Sequence, residues 1–232
     1  MIEFFKFPEN FGMRDASPFV LKLETYSRLA GLDYKTTIIS DPRKAPKGKL
    51  PFIIDNGQKI ADSAICIEYL KTTYGDPLGK GLSEEQHAIG HALQTMLEER
   101  TYWVLVHTRW IDPKHQPIVL EAWFGSIPGF IRGFITRKII KDMIAGMRSH
   151  GIGRHTPEEI FEFGLKDLRA FETVLGDKSF LFGDKPSAYD ATGYGFLANF
   201  MAKPFPSPMT EYIAASKTLS AYIERVEKKA FG

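Results

Sequence analysis

The chain has 232 residues, of which 44% are hydrophobic, 25% charged and 13% aromatic. This composition is typical of a globular protein with a packed core and excludes a disordered or fibrous chain. The net charge of +2 is too small to indicate nucleic-acid binding driven by overall charge, and it favours small or neutral partners. At this length we expect two domains, each able to bury its own core.

Cysteine and histidine usage predicts neither a disulfide nor a metal site. Cys66 is the only cysteine and has no partner for an intramolecular disulfide, which fits a reducing compartment. Its position between Ile65 and Ile67 favours a small buried side chain over a nucleophile. His87 and His91 are four residues apart but lack a further obvious ligand. No signal peptide and no integral membrane segment is predicted, so the expected location is cytoplasmic.

The first part of the chain carries alternating strand and helix signals. Residues 2–7 form a short apolar and aromatic run closed by Pro8, which predicts a buried strand. Ser17-Pro18 predicts a helix start, because serine is a good N-cap and proline is favoured at the first helical position. Asn56-Gly57 predicts a hairpin turn. The remaining predicted elements are a strand at 34–39, hairpin strands at 51–54 and 59–61, and a helix at 63–74.

Beyond residue 82 the strand signals nearly vanish. Ser83 and Gln86 have the spacing of a capping box, and the helix that they begin is expected to reach Trp110, with Asp112-Pro113 ending it. Further helices are predicted at 131–148, 157–175, 189–201 and 209–229. The break at 77–82 is the predicted domain boundary, separating residues 1–76 from residues 83–232.

In this order of elements, four local sequences resemble the glutathione transferase superfamily, and the match covers nearly the whole chain. They are Ser17-Pro18-Phe19, Lys49-Leu50-Pro51-Phe52, Asp62-Ser63 and Ser187-Ala188-Tyr189-Asp190. The resemblance implies an α/β, thioredoxin-like N-terminal domain at 1–76 that binds glutathione, followed by an all-helical C-terminal domain at 83–232. Segments 17–26 and 151–155 resemble the branch that contains failed-axon-connections, cadmium-responsive and metaxin-like proteins.

The resemblance implies a catalytic role for Ser17. In similar proteins a serine, cysteine or tyrosine near the start of the first helix hydrogen-bonds the glutathione sulfur and favours its thiolate. The chemistry is reasonable because a helix N-terminus adds positive potential and free N–H groups. The alternative is that Ser17 is only an N-cap.

Lys49, Leu50 and Pro51 are similar to residues that hold the peptide part of glutathione. The resemblance implies a cis bond before Pro51 and a Leu50 backbone that pairs with the ligand. Pro51 would otherwise simply begin an edge strand. Lys49 would pair with a glutathione carboxylate or remain a solvated surface lysine.

The resemblance assigns the γ-glutamyl end of glutathione to Asp62 and Ser63, which would receive its amine and its carboxylate. Similar proteins usually have glutamate or glutamine where this chain has the shorter Asp62. An aspartate can still salt-bridge an ammonium, and the alternative is an ordinary helix cap. Ser187 and Asp190 are expected to form a structural capping box.

Two further groups are candidates for contacts with other molecules. Trp103, His107 and Trp110 share one face of the long helix and would either line the electrophile pocket or pack in the core. Residues 130–154 form a basic amphipathic stretch that would either meet an anionic membrane or partner, or pack by its apolar face and solvate its charges. The basic side chains there are Arg132, Arg137, Lys138, Lys141, Arg148 and Arg154, against the lone Asp142.

The expected function is therefore transfer of the glutathione thiolate to a small, hydrophobic electrophile, a detoxification reaction. Glutathione is the expected co-substrate, no metal is expected, and a homodimer follows from the resemblance. The alternative is a non-catalytic glutathione-binding or protein-interaction module of the metaxin-like type. The sequence does not name the electrophile.

Overall fold

The computed structural model describes residues 1–232. A four-stranded sheet with the strand order β2-β1-β3-β4 lies in the first part of the chain, where β1 is parallel to β2 and antiparallel to β3, and β4 is antiparallel to β3. The elements of this part are β1 (Ile2–Lys6), α1 (Pro18–Leu29), β2 (Tyr34–Ile38), β3 (Phe52–Asp55), β4 (Gln58–Ala61) and α2 (Ser63–Tyr74). The predicted β-α-β-β-β-α order is confirmed.

The rest of the chain is helical, as predicted. α3 (Glu84–Thr95) and α4 (Tyr102–Val106) belong to one rod, in which Met96–Thr101 and His107–Ile111 are π-helical. The rod begins at the Ser83–Gln86 capping box and ends at Asp112. The remaining helices are α5 (Gln116–Phe124), α6 (Gly129–His150), α7 (Pro157–Leu175), α8 (Ala188–Phe200), α9 (Pro208–Ala215) and α10 (Lys217–Phe231). None of these helices combines the length and the apolar character needed to cross a bilayer.

The structure differs from the predicted helices at two points. The single helix expected at 209–229 is two helices, because Ser216 has extended backbone and caps α10 through its hydroxyl, which accepts from the Leu219 N–H at 3.0 Å. α5 was not predicted. Pro117 lies in the first turn of α5, where its missing N–H costs no helical hydrogen bond, so the proline is compatible with a helix here.

Two hydrophobic cores meet along α1 and α8. Val20, Leu23 and Tyr26 of α1 pack into the core under the sheet, whereas Leu21 of the same helix belongs to the core of the helical half. Ala191 of α8 lies in the sheet-side core. The two halves therefore share buried surface, and α1 lies between the sheet and α8.

Candidate functional site

Strand register brings three segments of the chain to one edge of the sheet. Phe5 pairs with Phe52, so the end of β1 lies beside the start of β3, where Pro51 precedes the strand. Phe52 also pairs with Ala61, so Asp62 lies beside Pro51, and the Asp62 N–H donates to the Pro51 carbonyl at 3.4 Å. α2 begins at this edge directly after β4. A helix N-terminus at the edge favours an anionic ligand there.

Ser17 lies in extended backbone immediately before α1. Its Oγ accepts from the Val20 N–H at 3.4 Å, a long capping bond, and its hydroxyl donates no hydrogen bond within the chain. Its own N–H donates to Oδ1 of Asp15 at 2.8 Å, and the Phe7 N–H donates to Oδ2 of the same carboxylate at 3.1 Å. Asp15 thus ties Ser17 to the end of β1, at the same edge of the sheet. The hydroxyl is the group of Ser17 that remains for a ligand.

Asp15 and Arg109 hold the turn before α1 from two sides. Asp15 is fully buried, and burial raises the pKa of its carboxyl to about 7, while the N–H of Ser17, the charge of Lys6 and the N–H of Phe7 oppose the rise. Arg109 donates to the Ala16 carbonyl at 2.6 Å and to the Asn199 carbonyl of α8 at 2.5 Å. Burial lowers the pKa of Arg109 to about 9. Both groups fix the backbone that presents Ser17.

The bond between Leu50 and Pro51 is cis, which confirms that prediction. The side chain of Leu50 is buried, but its backbone N–H and C=O form no hydrogen bond within the chain. These two groups precede Pro51, one residue before β3 begins, and are free to pair with an extended peptide ligand. Lys49 is exposed next to them, and its ammonium forms no ion pair.

Asp62 and Ser63 begin α2. Oδ1 of Asp62 accepts from the N–H groups of Ala64 at 2.9 Å and Ile65 at 3.4 Å. Asp62 is therefore a helix cap, the alternative role that the sequence analysis gave for it. Oδ2 forms no hydrogen bond within the chain and stays exposed. Asp62 has φ 93°, a conformation that non-glycine residues rarely adopt and that is concentrated at functional sites. Ser63 is 4% exposed, and its hydroxyl has no partner in the chain.

Trp103, His107 and Trp110 contact different neighbours. Trp103 packs on His150 of α6 with ring centroids 5.1 Å apart, and His107 meets Phe161 of α7 edge-on at 5.6 Å. Burial lowers the pKa of His107. Trp110 is half-buried and packs against hydrophobic residues of the helical half. These contacts resemble core packing, and a pocket role for the three remains a prediction.

An aromatic cluster that the sequence analysis missed adjoins the turn between β1 and α1. Phe7 packs edge-on against Trp123 at 5.1 Å, and Phe11 packs edge-on against Trp123 at 6.5 Å and Phe205 at 4.8 Å. Phe7 shares the Asp15 carboxylate with Ser17, so the cluster begins beside the candidate thiol site. Trp123 lies on α5, and without that helix no sequence signal pointed to it.

Two further expectations agree with the structure. The Cys66 thiol is buried and donates to the Ile60 carbonyl at 3.2 Å, and burial raises its pKa to about 12, so it is a packing residue and not a nucleophile. The Asp190 carboxylate accepts from the Ser187 N–H and hydroxyl, both at 2.7 Å, and from Tyr222 at 3.0 Å. Its role is structural.

Comparisons with known proteins agree with this architecture. The model of the glutathione S-transferase N-terminal domain matches residues 18–115, and that of the C-terminal domain matches residues 164–226. Solved glutathione transferases from Phanerochaete chrysosporium and Ceriporiopsis subvermispora, the latter in complex with glutathione, superpose with TM-scores of 0.69 and 0.67. Each alignment covers 100% of this chain and 98% of the other, at 16% and 20% identity, which shows the shared fold.

Three curated relatives cover nearly the whole chain. Isoprene-epoxide–glutathione S-transferase of a Rhodococcus species is 32% identical over 99% of both chains. Failed axon connections of Drosophila melanogaster is 34% identical over 93% of this chain, and human metaxin-1 is 28% identical over 97%. The chain spans 54% and 50% of the lengths of these two longer proteins. The branch that the sequence resembles is thereby confirmed.

Proposed function

The chain belongs to the glutathione S-transferase family, and we propose that it binds glutathione and transfers the thiolate to a small, apolar electrophile. The observation that carries the proposal is the set of unpaired polar groups at one edge of the sheet. The Leu50 backbone, Oδ2 of Asp62 and the Ser63 hydroxyl lack a partner in the chain, and the Ser17 hydroxyl accepts a long bond from the Val20 N–H but donates none. Their chemistry complements an extended tripeptide with an ammonium, carboxylates and a thiol.

Each group has one role in the proposed complex. The Leu50 N–H and C=O pair with the peptide backbone of glutathione, and Lys49 binds a carboxylate. Asp62 receives the γ-glutamyl ammonium through Oδ2, and Ser63 donates to the neighbouring carboxylate. The Ser17 hydroxyl donates a hydrogen bond to the sulfur, which stabilises the thiolate and lowers the thiol pKa.

The electrophile class is proposed from the relative whose name states its substrate. Similarity over 99% of both chains to an isoprene-epoxide–glutathione S-transferase supports a small epoxide. The thiolate attacks a ring carbon, the C–S bond forms as the C–O bond breaks, and the oxygen takes a proton from water. The half-buried rings of Phe7, Phe11 and Trp123 support an apolar wall beside the sulfur.

Glutathione binding is tested with Asp62→Asn. Asparagine caps a helix about as well as aspartate, so melting temperature should not change, while the charge that receives the ammonium is lost. A hydrogen bond between charged groups contributes about 1.5–3 kcal/mol, so calorimetric affinity for glutathione should fall roughly tenfold to a hundredfold. An Asp62→Asn protein that binds glutathione as tightly as the original would remove Asp62 from the site.

Catalysis is tested with Ser17→Ala and with Ser83→Ala as the matched control. Both substitutions remove an N-cap hydroxyl, at a cost of about 1 kcal/mol, but Ser83 caps α3 of the helical half and belongs to none of the segments that form the candidate site. Ser17→Ala should lower the rate of transfer to an epoxide roughly tenfold to a hundredfold, because the thiolate loses one hydrogen bond. Ser83→Ala should keep that rate.

The same assays separate the proposal from its alternative. Equal rates for Ser17→Ala and the original protein, with equal glutathione affinity, would leave Ser17 as a cap only. Glutathione binding without turnover of any epoxide would favour the alternative function, a non-catalytic binding module. The similarity to metaxin-1 is the reason for testing that alternative.

A further inference from the structure

The most exposed apolar surface of the protein lies outside both matched family regions. Residues 116–163 fall between the N-terminal match, which ends at 115, and the C-terminal match, which begins at 164. This segment contains α5 and α6. Phe130 is 86% exposed and Phe134 is 69% exposed, more than any other aromatic side chain of the chain. Ile118, Ile131 and Ile144 are exposed in the same segment.

One face of α6 combines these phenylalanines with basic residues. An α-helix advances 100° per residue, so positions i, i+4, i+7, i+11 and i+18 share a face. Those positions are Phe130, Phe134, Arg137, Lys141 and Arg148, which are all exposed and which we call the α6 outer face. The opposite side of α6 packs on the helical core through the half-buried Met143 and the buried Met147.

The basic residues of the α6 outer face form no ion pairs. Lys138 pairs with Asp142 at 2.9 Å and Arg132 pairs with Glu121 at 2.9 Å, but Arg137, Lys141 and Arg148 have no acidic partner. Arg154 is also unpaired and lines an open groove with Arg148, Ser149 and Gly153 at the end of α6. In a chain of net charge +2, this is a local concentration of free positive charge.

We propose that the α6 outer face binds the surface of an anionic membrane, with Phe130 and Phe134 inserted among the lipids and Arg137, Lys141 and Arg148 on the phosphates. Aromatic side chains next to unpaired cations on one helix face suit the boundary between headgroups and acyl chains. A second copy of the chain fits less well, because a two-fold interface through this face would oppose like charges. The proposal is independent of glutathione transfer, since no residue of the α6 outer face belongs to the proposed glutathione site.

The test is co-sedimentation of the full chain with two kinds of vesicle, phosphatidylcholine alone and phosphatidylcholine with phosphatidylserine. We expect binding to the anionic vesicles only, and release as salt is raised. The Phe130→Ser, Phe134→Ser double variant should bind the anionic vesicles at least tenfold more weakly. The Arg137→Gln, Lys141→Gln double variant should lose the preference for phosphatidylserine. Glutathione affinity should stay unchanged in both.

Matched controls are Ile38→Ser, on edge strand β2, and Lys35→Gln, on the same strand, both of which change exposed side chains away from α6. Both should bind vesicles as the original protein does. Equal binding of the original protein to both vesicles, or none to either, would overturn the proposal. So would a change of molar mass in light scattering for the phenylalanine variant, because the α6 outer face would then be an interface between copies.

Discussion

At the scale of single residues, the buried carboxylate of Asp15, beside the candidate thiol site, makes the stability of the fold depend on pH. Asp15 accepts hydrogen bonds from Ser17 and Phe7, yet burial dominates and raises its pKa to about 7. The native protein therefore binds a proton at Asp15 between about pH 4 and pH 7, where the unfolded chain does not. The free energy of unfolding must fall as pH rises through this interval and level off above it.

Asp15→Asn should remove this pH dependence. The original protein should lose about 3 kcal/mol of unfolding free energy between pH 5 and pH 8 relative to the variant, because each pKa unit corresponds to about 1.36 kcal/mol. Urea unfolding of both proteins at the two pH values measures the difference. Parallel pH curves for the two proteins would show that the native carboxyl ionises at its ordinary pKa.

Whether a site residue could be predicted from the sequence depends on how far along the chain its partners lie. The placement of Ser17, Pro51, Asp62 and Ser63 could be predicted, because it depends on neighbours within a few residues and on the order of strands and helices, whereas their roles toward glutathione stay a prediction. Asp15 was also within reach, since an aspartate that accepts the N–H two residues on is typical of an Asx-turn. Arg109 was not, because its partners are residues 16 and 199, which only the tertiary fold brings together.

At the scale of elements, the fold depends on how closely α1 and α8 approach each other. A Cβ at Gly195 of α8 would lie 2.7 Å from the Pro18 carbonyl oxygen and 2.9 Å from the Lys22 backbone nitrogen. Both neighbours are backbone atoms, so no side chain can move aside. The glycine allows α8 to contact the first turns of the helix that Ser17 begins.

Gly195→Ala should therefore destabilise the protein although alanine is the better helix former. Overpacking of this kind costs about 1–3 kcal/mol, and the shift of α1 should also weaken glutathione binding. Gly133→Ala is the control, because a Cβ at Gly133 of α6 meets nothing within 4 Å. That change should stabilise by about 0.5–1 kcal/mol. Thermal unfolding measures the stability of both variants, and calorimetry measures their affinity for glutathione. Equal stability of the two variants would contradict the close approach of α1 and α8.

Element boundaries followed from local signals wherever a cap or a turn was explicit. The bounds of α2 and α7 agree with the predicted ranges 63–74 and 157–175, because Asp62 and Thr156 cap these helices. The local sequence does not by itself indicate α5 or the break between α9 and α10. Pro117 suits a loop as well as a first helical turn, and Ser216 suits a helix interior as well as a cap. Tertiary packing selects between these local alternatives.

At the scale of the whole molecule, the two hydrophobic cores do not coincide with the two halves of the chain, because α1 and α8 each contribute residues to the core of the other half. Ala188 and Ala191 of α8 complete the core under the sheet, and Leu21 of α1 enters the helical core. Lys22 of α1 also forms an ion pair at 2.5 Å with Glu98, which lies between α3 and α4 in the helical half. The predicted boundary at 77–82 marks the point where strands give way to helices. Hydrophobic periodicity shows that α1 and α8 each have buried faces, but it does not show which core each face contacts.

We propose a homodimer in which α2 of one subunit meets α3 of the other, because each helix exposes an apolar side chain without an evident partner. Ile65 of α2 is 49% exposed, and Ile89 of α3 is 36% exposed. Because one of these side chains lies on the sheet half and the other on the helical half, the sheet half of one subunit can bury both by packing on the helical half of its partner.

The Ile65→Lys, Ile89→Lys double variant should dissociate this dimer at micromolar concentration, because each interface would bury uncompensated charge. Ile38→Lys is the control, since Ile38 is 53% exposed on edge strand β2, away from both helices. Light scattering should give a dimer for the original protein and for Ile38→Lys, and a monomer for the double variant. A monomer in all three would contradict the dimer itself, and a dimer in all three would move its interface away from α2 and α3.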